Sequence, residues 1–288
     1  MENISKIQIG SEIFSVVDEN GRALINSLID RATTLESNVD ALMLNSVNKN
    51  AIYRGKDLGV VSADNVENFF KVHEISSGKF TDLFVGDTFT IKDGTHNAKW
   101  VIAGFNTEYN KGDTALQKNH ITVFPLYNLG TSYMNETNTT AGGYKGSYMH
   151  TTKLPEIADN LRKALGTHML SHRCLLTTSV SADAFANGGS GWKGASNNWE
   201  WTDCELVLMT EAQVYGSTVF SSSGYDTGEG AMKLPIFNFV NHVKFGRYWF
   251  WLRSVASSTY FCDADGSGDA NCYDASSVSG VRPLMLLG

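Results

Sequence analysis

Apolar residues recur at helical spacing near the start of the chain. No Gly or Pro occurs between Arg22 and about Leu44, where apolar residues follow one another at intervals of three, four and seven. Such a stripe predicts an amphipathic helix or a short coiled coil. This helix either packs on its own domain or oligomerises the chain as a stalk, and the polar segment that follows it, 45–50, favours the stalk. The residues expected to oligomerise the chain are Leu24, Leu28, Leu35, Val39 and Leu42.

The remaining pattern mixes strand and helix signals separated by long polar loops. Apolar runs bounded by turn residues predict strands, whereas an apolar face with a period near 3.6 predicts helices. The order of these signals predicts an α+β fold with an N-terminal attachment and oligomerisation segment, 1–50, and one larger domain, 51–288. The predicted strands are 80–91, 99–109, 121–129, 168–180 (buried on both faces), 248–254, 258–264 and 281–287. We further predict a short strand or hairpin at 7–16, a turn at 18–21, helices at about 62–75 (capped by Ser62 or Asp64) and 152–165, a loop at 181–203, and a strand leading into a short helix at 204–216.

Charge and hydropathy narrow the possible partners. The net charge of −7 argues against a nucleic-acid partner, because phosphate binding needs a basic face. No segment approaches the ~20 apolar residues that span a bilayer, so membrane insertion is not expected. The N-terminus lacks the basic region and the apolar run of a signal peptide. We therefore expect synthesis in a cytoplasm, with release by cell lysis or by another route.

Four cysteines, Cys174, Cys204, Cys262 and Cys272, show no CxxC spacing. A zinc site is therefore not expected, and no cofactor or metal is predicted. The thiols are expected to be reduced, and pairing of Cys262 with Cys272 stays open. His168 and His172 have a metal-ligand spacing, but the apolar run around them favours a structural role.

The segment 254–280 has an unusual composition. It contains seven Ser, four Asp, four Ala and three Gly, but no Lys, Glu, Gln, Met, Trp, Arg, Leu or Ile, although both of its flanks are core-like. Small polar residues with interspersed Tyr resemble an antibody paratope in their chemistry. Nearly all of its candidate exposed residues can arise by substituting the first two bases of an Asn codon. The alternative is an ordinary Ser- and Gly-rich turn region, and composition alone does not decide between the two.

The end of the chain carries a family resemblance. The motifs WLRSVASSTYF (251–261) and GVRPLMLLG (280–288) resemble the variable proteins of diversity-generating retroelements, in which mutagenic reverse transcription rewrites the C-terminal stretch of a C-type-lectin-like domain. The motifs YRGKDLG (53–59), GKFTDLFVGDTFTI (78–91), WVIAGFNTEYNKGDT (100–114), MNETNTTAGGYKGS (134–147) and LMTEAQVYG (208–216) are similar to tail or receptor-binding proteins of phages and prophages of gut Firmicutes. The resemblance covers about 50–288 and implies a C-type-lectin-like fold, related to the formylglycine-generating enzymes, with a variable region at about 247–288.

The same resemblance implies roles for individual residues. It implies a scaffold of Trp251, Leu252, Arg253, Gly280, Val281, Arg282 and Pro283, in which the two arginines are buried and bonded to backbone carbonyls or to a carboxylate. It implies a variable ligand-binding face formed by Tyr248, Phe250, Ser257, Ser258, Tyr260, Cys262, Asp263, Asp265, Asp269, Asn271, Tyr273, Asp274, Ser276, Ser277 and Ser279.

The function implied is non-enzymatic receptor binding. The chain would sit at the tip of a phage tail in the virion and bind a protein or glycan on the host cell surface. It would form a homotrimer and attach to other tail or baseplate proteins through its N-terminus.

Two alternatives from other classes stay open. The first is a lectin-fold oxidase of the formylglycine-generating type, with Cys262 and Cys272 imitating its cysteine pair. The second is a structural baseplate protein without a ligand. The run from Asp263 to Asp269 superficially resembles a calcium loop, but the bidentate Glu expected at the twelfth position is replaced by Asp274, so calcium is disfavoured.

Overall fold

A computed structural model describes residues 6–15, 19–43, 49–181, 196–222, 233–240 and 247–288. The chain divides into two compact units, 1–45 and 46–288, in place of the predicted division after residue 50. The fold is mixed α/β, with several sheets and few helices among the described residues.

The first unit consists of a hairpin and a long helix. Strands β1 (Lys6–Ile9) and β2 (Glu12–Ser15) pair antiparallel, which confirms the predicted hairpin. Helix α1 (Glu19–Met43) confirms the predicted helix and begins inside the predicted turn at 18–21. Its residues Leu24, Leu28 and Leu35 are exposed, as are Ile25 and Ile29. The side chains of Val39 and Leu42 lie outside the described residues.

The second unit contains the remaining elements of the described residues. Its strands are β3 (Asp57–Val61), β4 (Thr88–Ile91), β5 (Lys99–Phe105), β6 (Ile121–Pro125), β7 (Thr131–Ser132), β8 (Met169–Leu170), β9 (His172–Val180), β10 (Ser196–Cys204), β11 (Leu206–Leu208), β12 (Phe250–Val255), β13 (Tyr260–Ala264), β14 (Ala270–Asp274), β15 (Ser279–Gly280) and β16 (Pro283–Leu287). Its α-helices are α2 (Val66–Val72), α3 (Leu154–Leu165) and α4 (Glu211–Tyr215), with a π-helical turn at Met149–Lys153 and 3-10 turns at Gly166–His168 and Pro235–Asn238.

The main sheet has the strand order β11-β16-β6-β5-β4-β3, and β8 also pairs with β16. Strands β6 and β16 are buried at every residue, because neighbouring strands flank them and both sheet faces are covered. Such strands read as continuous apolar runs rather than as an alternating pattern. Helix α3 contributes the apolar face Leu154, Ile157, Leu161 and Leu165 to the core. The central strands of the core were therefore predictable from local sequence.

Two smaller sheets complete the second unit. One has the order β14-β13-β12-β15-β7, and the other pairs β9 with β10. Only two residues separate β15 from β16, so the chain passes directly from the small five-stranded sheet into the centre of the main sheet. This connection ties the C-terminal segment to the core.

Several predicted elements differ from the structure. The predicted strand 80–91 is a strand only at Thr88–Ile91, because Phe80 and Asp82 adopt positive φ values that interrupt an extended chain. The predicted loop 181–203 contains β10. This strand lacks an apolar pattern in its sequence and is stabilised by its pairing with β9. Strand β9 is only partly buried on one face, rather than buried on both.

The predicted linker and one predicted helix also require correction. Lys49 is buried and donates its Nζ to the carbonyl of Leu83 at 3.3 Å. Asn50 exchanges side-chain hydrogen bonds with the backbone of Phe105. These two residues therefore belong to the second unit. The helix predicted at 62–75 is shorter, with Asn65 at its N-cap position instead of Ser62 or Asp64.

Candidate binding face

The C-terminal segment folds as a meander of β12, β13 and β14. Ser257 closes the first turn, because its Oγ accepts hydrogen bonds from the backbone N–H groups of Thr259 at 3.2 Å and Tyr260 at 3.0 Å. The hydroxyl of Thr140 donates to the Ser257 carbonyl at 2.7 Å. Ser257 is fully buried, so its predicted exposure on the binding face is wrong.

Asp265 organises the second turn. Its Oδ1 accepts hydrogen bonds from the backbone N–H groups of Ser267 at 2.8 Å and Asp269 at 3.0 Å. Gly268 adopts φ +89°, a conformation that favours glycine. The Asp-rich run that superficially resembled a calcium loop is thus a β-hairpin turn closed by one carboxylate. Asp265 is half-buried and Asp269 is exposed.

A neighbouring loop supports the far side of the meander. The side chain of Asn138 donates its Nδ2 to Asp274 Oδ1 at 2.6 Å and accepts the backbone N–H of Ala275 at 3.1 Å. The backbone N–H groups of Met134 and Asn135 both donate to the Ala275 carbonyl at 2.9 Å. The turn after β14 is therefore fixed from outside the C-terminal segment.

The predicted scaffold residues are buried in the structure. Trp251 donates its indole Nε1–H to the Ser132 carbonyl at 2.8 Å. The Arg282 guanidinium donates to the carbonyls of Pro125 at 3.2 Å and Leu126 at 3.1 Å. It also lies 4.6 Å from the ring centre of Phe250, a cation–π distance. For Arg282, bonding to backbone carbonyls is confirmed.

Gly280 allows two segments to approach closely. Its N–H donates to the Trp249 carbonyl at 3.1 Å, and the Asn128 side chain donates to the same oxygen at 3.1 Å. A Cβ at this position would lie 1.9 Å from the Asn128 amide nitrogen and 2.5 Å from the Trp249 oxygen. Glycine is therefore required here for steric reasons, and this contact positions Trp249.

Arg253 is buried as predicted, and two cysteines lie near its guanidinium. Burial alone would lower the pKa of its guanidinium, but the adjacent Cys174 and Cys204 thiol groups and Tyr144 raise it. The groups that interact with Arg253 thus include two thiols, and the buried carboxyl group of Glu108 interacts with it as well.

Three aromatic side chains lie exposed on this part of the molecule, and we call them the aromatic patch: Tyr248, Trp249 and Tyr273. Their exposed fractions are 58%, 43% and 47%. Trp249 meets Tyr273 edge to face, with ring centres 5.8 Å apart, which is a favourable aromatic geometry. The contact links the residues before β12 to the edge strand β14. Exposed aromatic groups held on a buried frame are typical of ligand-binding surfaces.

The structure divides the predicted binding residues into three groups. Strand β13 is buried from Phe261 to Ala264, because β12 and β14 flank it and both of its faces are covered. The alternation of exposed and buried side chains that was predicted for this strand is therefore absent, and the predicted exposure of several residues is wrong. Exposed are Tyr248, Asp269 and Tyr273; half-buried are Ser258, Tyr260, Asp265, Asn271, Asp274, Ser276 and Ser277; buried are Phe250, Ser257, Cys262, Asp263 and Ser279.

Sequence reasoning missed Trp249. Strand alternation placed Tyr248 and Phe250 on one face and would turn Trp249 inward. The extended strand begins only at Phe250, and Arg247 has φ +57°, so Tyr248 and Trp249 both face outward while Phe250 enters the core. The available signal was two adjacent aromatic residues directly before a core strand.

Asp263 is the most unusual buried residue of the meander. It has no solvent exposure, and neither of its carboxyl oxygens has a hydrogen-bond partner among the described residues. Burial, with a smaller contribution from the Asp265 charge, raises its pKa to about 7. An unpaired buried carboxylate is unfavourable, so this group favours its neutral form.

Cys262 and Cys272 face each other directly in the register of β13 and β14. Both are buried and present as free thiols. Burial, with contributions from Asp263 and Glu211, raises the pKa of Cys272 to about 12. Because the thiolate is the reactive form of cysteine, this environment suppresses thiol reactivity.

The described residues contain no group of three or more His, Cys, Asp or Glu side chains arranged to hold a metal ion. Within the same residues, no helix is both long enough and apolar enough to span a bilayer.

No family model, curated protein or solved structure matches this chain.

Proposed function

We propose that the chain is a phage-type receptor-binding protein whose aromatic patch contacts a protein or glycan on a host cell surface. The observation that carries this proposal is the edge-to-face pair of the exposed Trp249 and Tyr273, with the exposed Tyr248 directly before Trp249 in the chain. Around them lie half-buried Ser, Asp and Asn side chains, which supply adaptable hydrogen bonds. The proposal includes a C-type-lectin-like fold for the second unit, a variable region at about 247–288, and a position at the tip of a phage tail.

The structure of the frame supports the idea of a surface that tolerates change. Trp251 and Arg282 form their hydrogen bonds with carbonyl groups of Ser132, Pro125 and Leu126. None of these contacts involves an exposed side chain of the meander. Substitution of an exposed residue such as Tyr273 therefore leaves the frame intact, which is what a diversified surface requires.

The oxidase alternative receives less support. Its candidate cysteines, Cys262 and Cys272, are buried in the meander, and the raised pKa of Cys272 disfavours the thiolate that such chemistry needs.

The first test is binding of the full-length protein to whole bacterial cells. We expect saturable labelling of at least one strain in a panel of gut Firmicutes. A Trp249→Ala, Tyr273→Ala variant is expected to bind about tenfold more weakly or worse, because central aromatic residues dominate interface energies. The measurement is a titration of fluorescently labelled protein on intact cells.

The matched control replaces two exposed apolar residues elsewhere in the second unit, as Tyr109→Ala, Val72→Ala. This control is expected to bind like the unmodified chain. Equal binding by the patch variant would refute the assignment of the site. A folded protein that labels no strain would favour the structural baseplate alternative.

Helix α1 supplies the second part of the proposal. Its exposed leucines, Leu24, Leu28 and Leu35, follow coiled-coil spacing, and we propose that they join three copies of the chain. Several copies of a weak site then bind with avidity. The N-terminal unit would also attach the protein to other tail or baseplate proteins.

A Leu24→Gln, Leu28→Gln, Leu35→Gln variant of the full chain is expected to sediment as a monomer, whereas the unmodified chain sediments as a trimer. Gln has nearly the helix propensity of Leu, so the variant removes apolar contact rather than the helix. The control, Asn26→Gln, Thr33→Gln, changes the opposite face of α1 and should stay trimeric. Identical sedimentation of the leucine variant and the unmodified chain would contradict a coiled-coil role.

A further inference from the structure

The buried carboxyl group of Asp263 is not part of the hydrogen-bonded frame of the meander. It has no solvent exposure, and neither of its oxygens has a hydrogen-bond partner among the described residues. Buried polar groups in folded proteins almost always have partners, and an exception requires an explanation. Two hydrogen-bond acceptors without donors fit a ligand that supplies the donors itself.

The strand register places this carboxyl group on the same face as the aromatic patch. Asp263 on β13 is paired directly with Asn271 on β14, and Phe261 is paired with Tyr273. Side chains of directly paired residues lie on the same side of a sheet, and so do those of residues two apart on one strand. Asp263, Asn271 and Tyr273 therefore share one face of the meander. Tyr273 is exposed, so this face borders solvent.

The indole ring of Trp249 lies along this face. A Cβ at Gly266, in the turn after β13, would lie 3.1 Å from the indole Nε1, and the ring meets Tyr273 edge to face. The pair formed by Asp263 and Asn271 lies between Gly266 and Tyr273 along the hairpin. The indole therefore reaches across the position of Asp263.

Titratable groups of three elements act on Asp263. Asp265 follows β13, Cys272 lies on β14 and Tyr215 ends α4, and each of them interacts electrostatically with Asp263. Glu211 on α4 acts in turn on Cys272 and Tyr215. None of these groups is a cation, and Asp263 forms no ion pair with any described residue.

Two further carboxylates at the turn add negative charge to the face. Within the described part of the chain, Asp265 and Asp269 form no ion pair, and residues 254–280 contain no Lys or Arg. The exposed Arg247 precedes the patch in the chain. The face thus combines aromatic rings with several carboxylates, and both attract a cation.

We propose that the aromatic patch binds a lysine side chain of a protein on the host cell surface, with the ammonium group paired to Asp263. A lysine side chain has a long apolar stem that packs along aromatic rings, and it ends in three N–H donors. The stem fits against Trp249 and Tyr273, and the ammonium group supplies the donors that the Asp263 oxygens lack. Arginine fits less well, because its planar guanidinium is larger than the compact ammonium group. The proposal rests on the receptor-binding function proposed above.

Binding requires that the Trp249 side chain rotates away from Asp263. Trp249 precedes the first residue of β12, so this rotation leaves the strand in place. The carboxyl group gives its proton to water as the ammonium group approaches, and the resulting carboxylate forms the ion pair. Burial and the charge of Asp265 raise the pKa of Asp263 to about 7, so the free protein carries this proton at lower pH.

The first experiment follows the fluorine NMR signals of the full-length protein, with its six tryptophans replaced by 5-fluorotryptophan. The probe is butylammonium chloride, which corresponds to the side chain of lysine. We expect a saturable shift of the Trp249 signal, identified by its absence in Trp249→Phe, with an affinity in the millimolar range. The probe 1-butanol has the same length but no charge, and it should leave the signal unchanged.

An Asp263→Asn variant tests the ion pair. It should weaken butylammonium binding about tenfold or more. The affinity of the unmodified chain should rise about tenfold from pH 6 to pH 8, because below pH 7 the ligand must displace the proton of Asp263. The affinity of the variant should not change over this range. The matched control is Asp64→Asn, which alters an exposed carboxylate of the same unit and should bind like the unmodified chain.

The second experiment uses cells of a strain that the protein labels. Acetylation with sulfosuccinimidyl acetate removes the charge of surface amines, whereas reductive dimethylation retains it. We expect acetylation to reduce labelling about tenfold or more and dimethylation to preserve most of it, because the cation remains. Protease treatment should also abolish labelling, since the proposed lysine belongs to a protein.

Each part of the proposal has an outcome that would overturn it. An unchanged Trp249 signal, or equal affinity of Asp263→Asn and the unmodified chain, would refute the ammonium site. Labelling that survives acetylation would refute lysine as the ligand and leave receptor binding itself intact. Labelling that is lost on acetylation but kept after protease treatment would exclude a protein partner. A panel in which no strain is labelled counts against receptor binding, and the butylammonium titration then decides on the site by itself.

Discussion

An Arg282→Leu variant is expected to lose about 3–5 kcal/mol of unfolding free energy. The substitution removes the donor to the Pro125 and Leu126 carbonyls, and each buried acceptor left without its donor costs about 1–3 kcal/mol. It also removes the cation that lies 4.6 Å from the Phe250 ring centre and 5.3 Å from that of Phe124. Urea denaturation followed by tryptophan fluorescence measures the loss.

The control for this prediction is Lys118→Leu. Lys118 is an exposed cation of the second unit, and an exposed substitution is expected to change stability by less than about 0.5 kcal/mol. An Arg282→Leu variant as stable as the control would show that the guanidinium does not hold the frame.

An Asp263→Asn variant is expected to stabilise the protein increasingly as pH rises. The pKa of Asp263 is about 7 in the folded chain and near its ordinary value of about 3.9 when unfolded. Between these two values the folded state binds more protons than the unfolded state, so stability falls as pH rises and levels off above about pH 7. The amide cannot ionise and does not undergo this loss.

The difference between variant and unmodified chain should therefore grow by roughly 2–3 kcal/mol from pH 5 to pH 8. Urea denaturation at several pH values measures it. Asp269→Asn provides the control, because Asp269 is exposed on the same hairpin and its replacement should leave the pH dependence unchanged. A pH-independent difference for Asp263→Asn would show that the buried carboxyl group is not the cause.

Much of the framework was predictable because it follows local rules. Helix α1 was expected from leucines repeating at helical spacing, and the strands β6 and β16 from predominantly apolar runs. The buried scaffold from Trp251 to Arg253 and from Val281 to Pro283 was expected because the family resemblance and the core-like flanks agreed. In each case the local structure could be predicted from a few residues that are neighbours in the chain.

Strand β10 could not be predicted in the same way. Its sequence, SNNWEWTDC, has no apolar alternation, and half-buried or exposed residues predominate along it. Pairing with β9 holds it in place. The two strands are separated in the chain by residues 182–195, which lie outside the described part of the structure. A strand stabilised by its partner leaves little signal in its own sequence.

The small polar composition of residues 254–280 and their core-like flanks predicted a polar surface held between buried strands at the end of the chain. Which of those residues reach solvent depends on how distant segments of the chain pack together. Strand β13 is covered on both faces, so Cys262 and Asp263 are buried, whereas the chain before β12 exposes Trp249 beside Tyr273. Local spacing fixes which way a side chain points, but what covers it depends on segments distant in the chain.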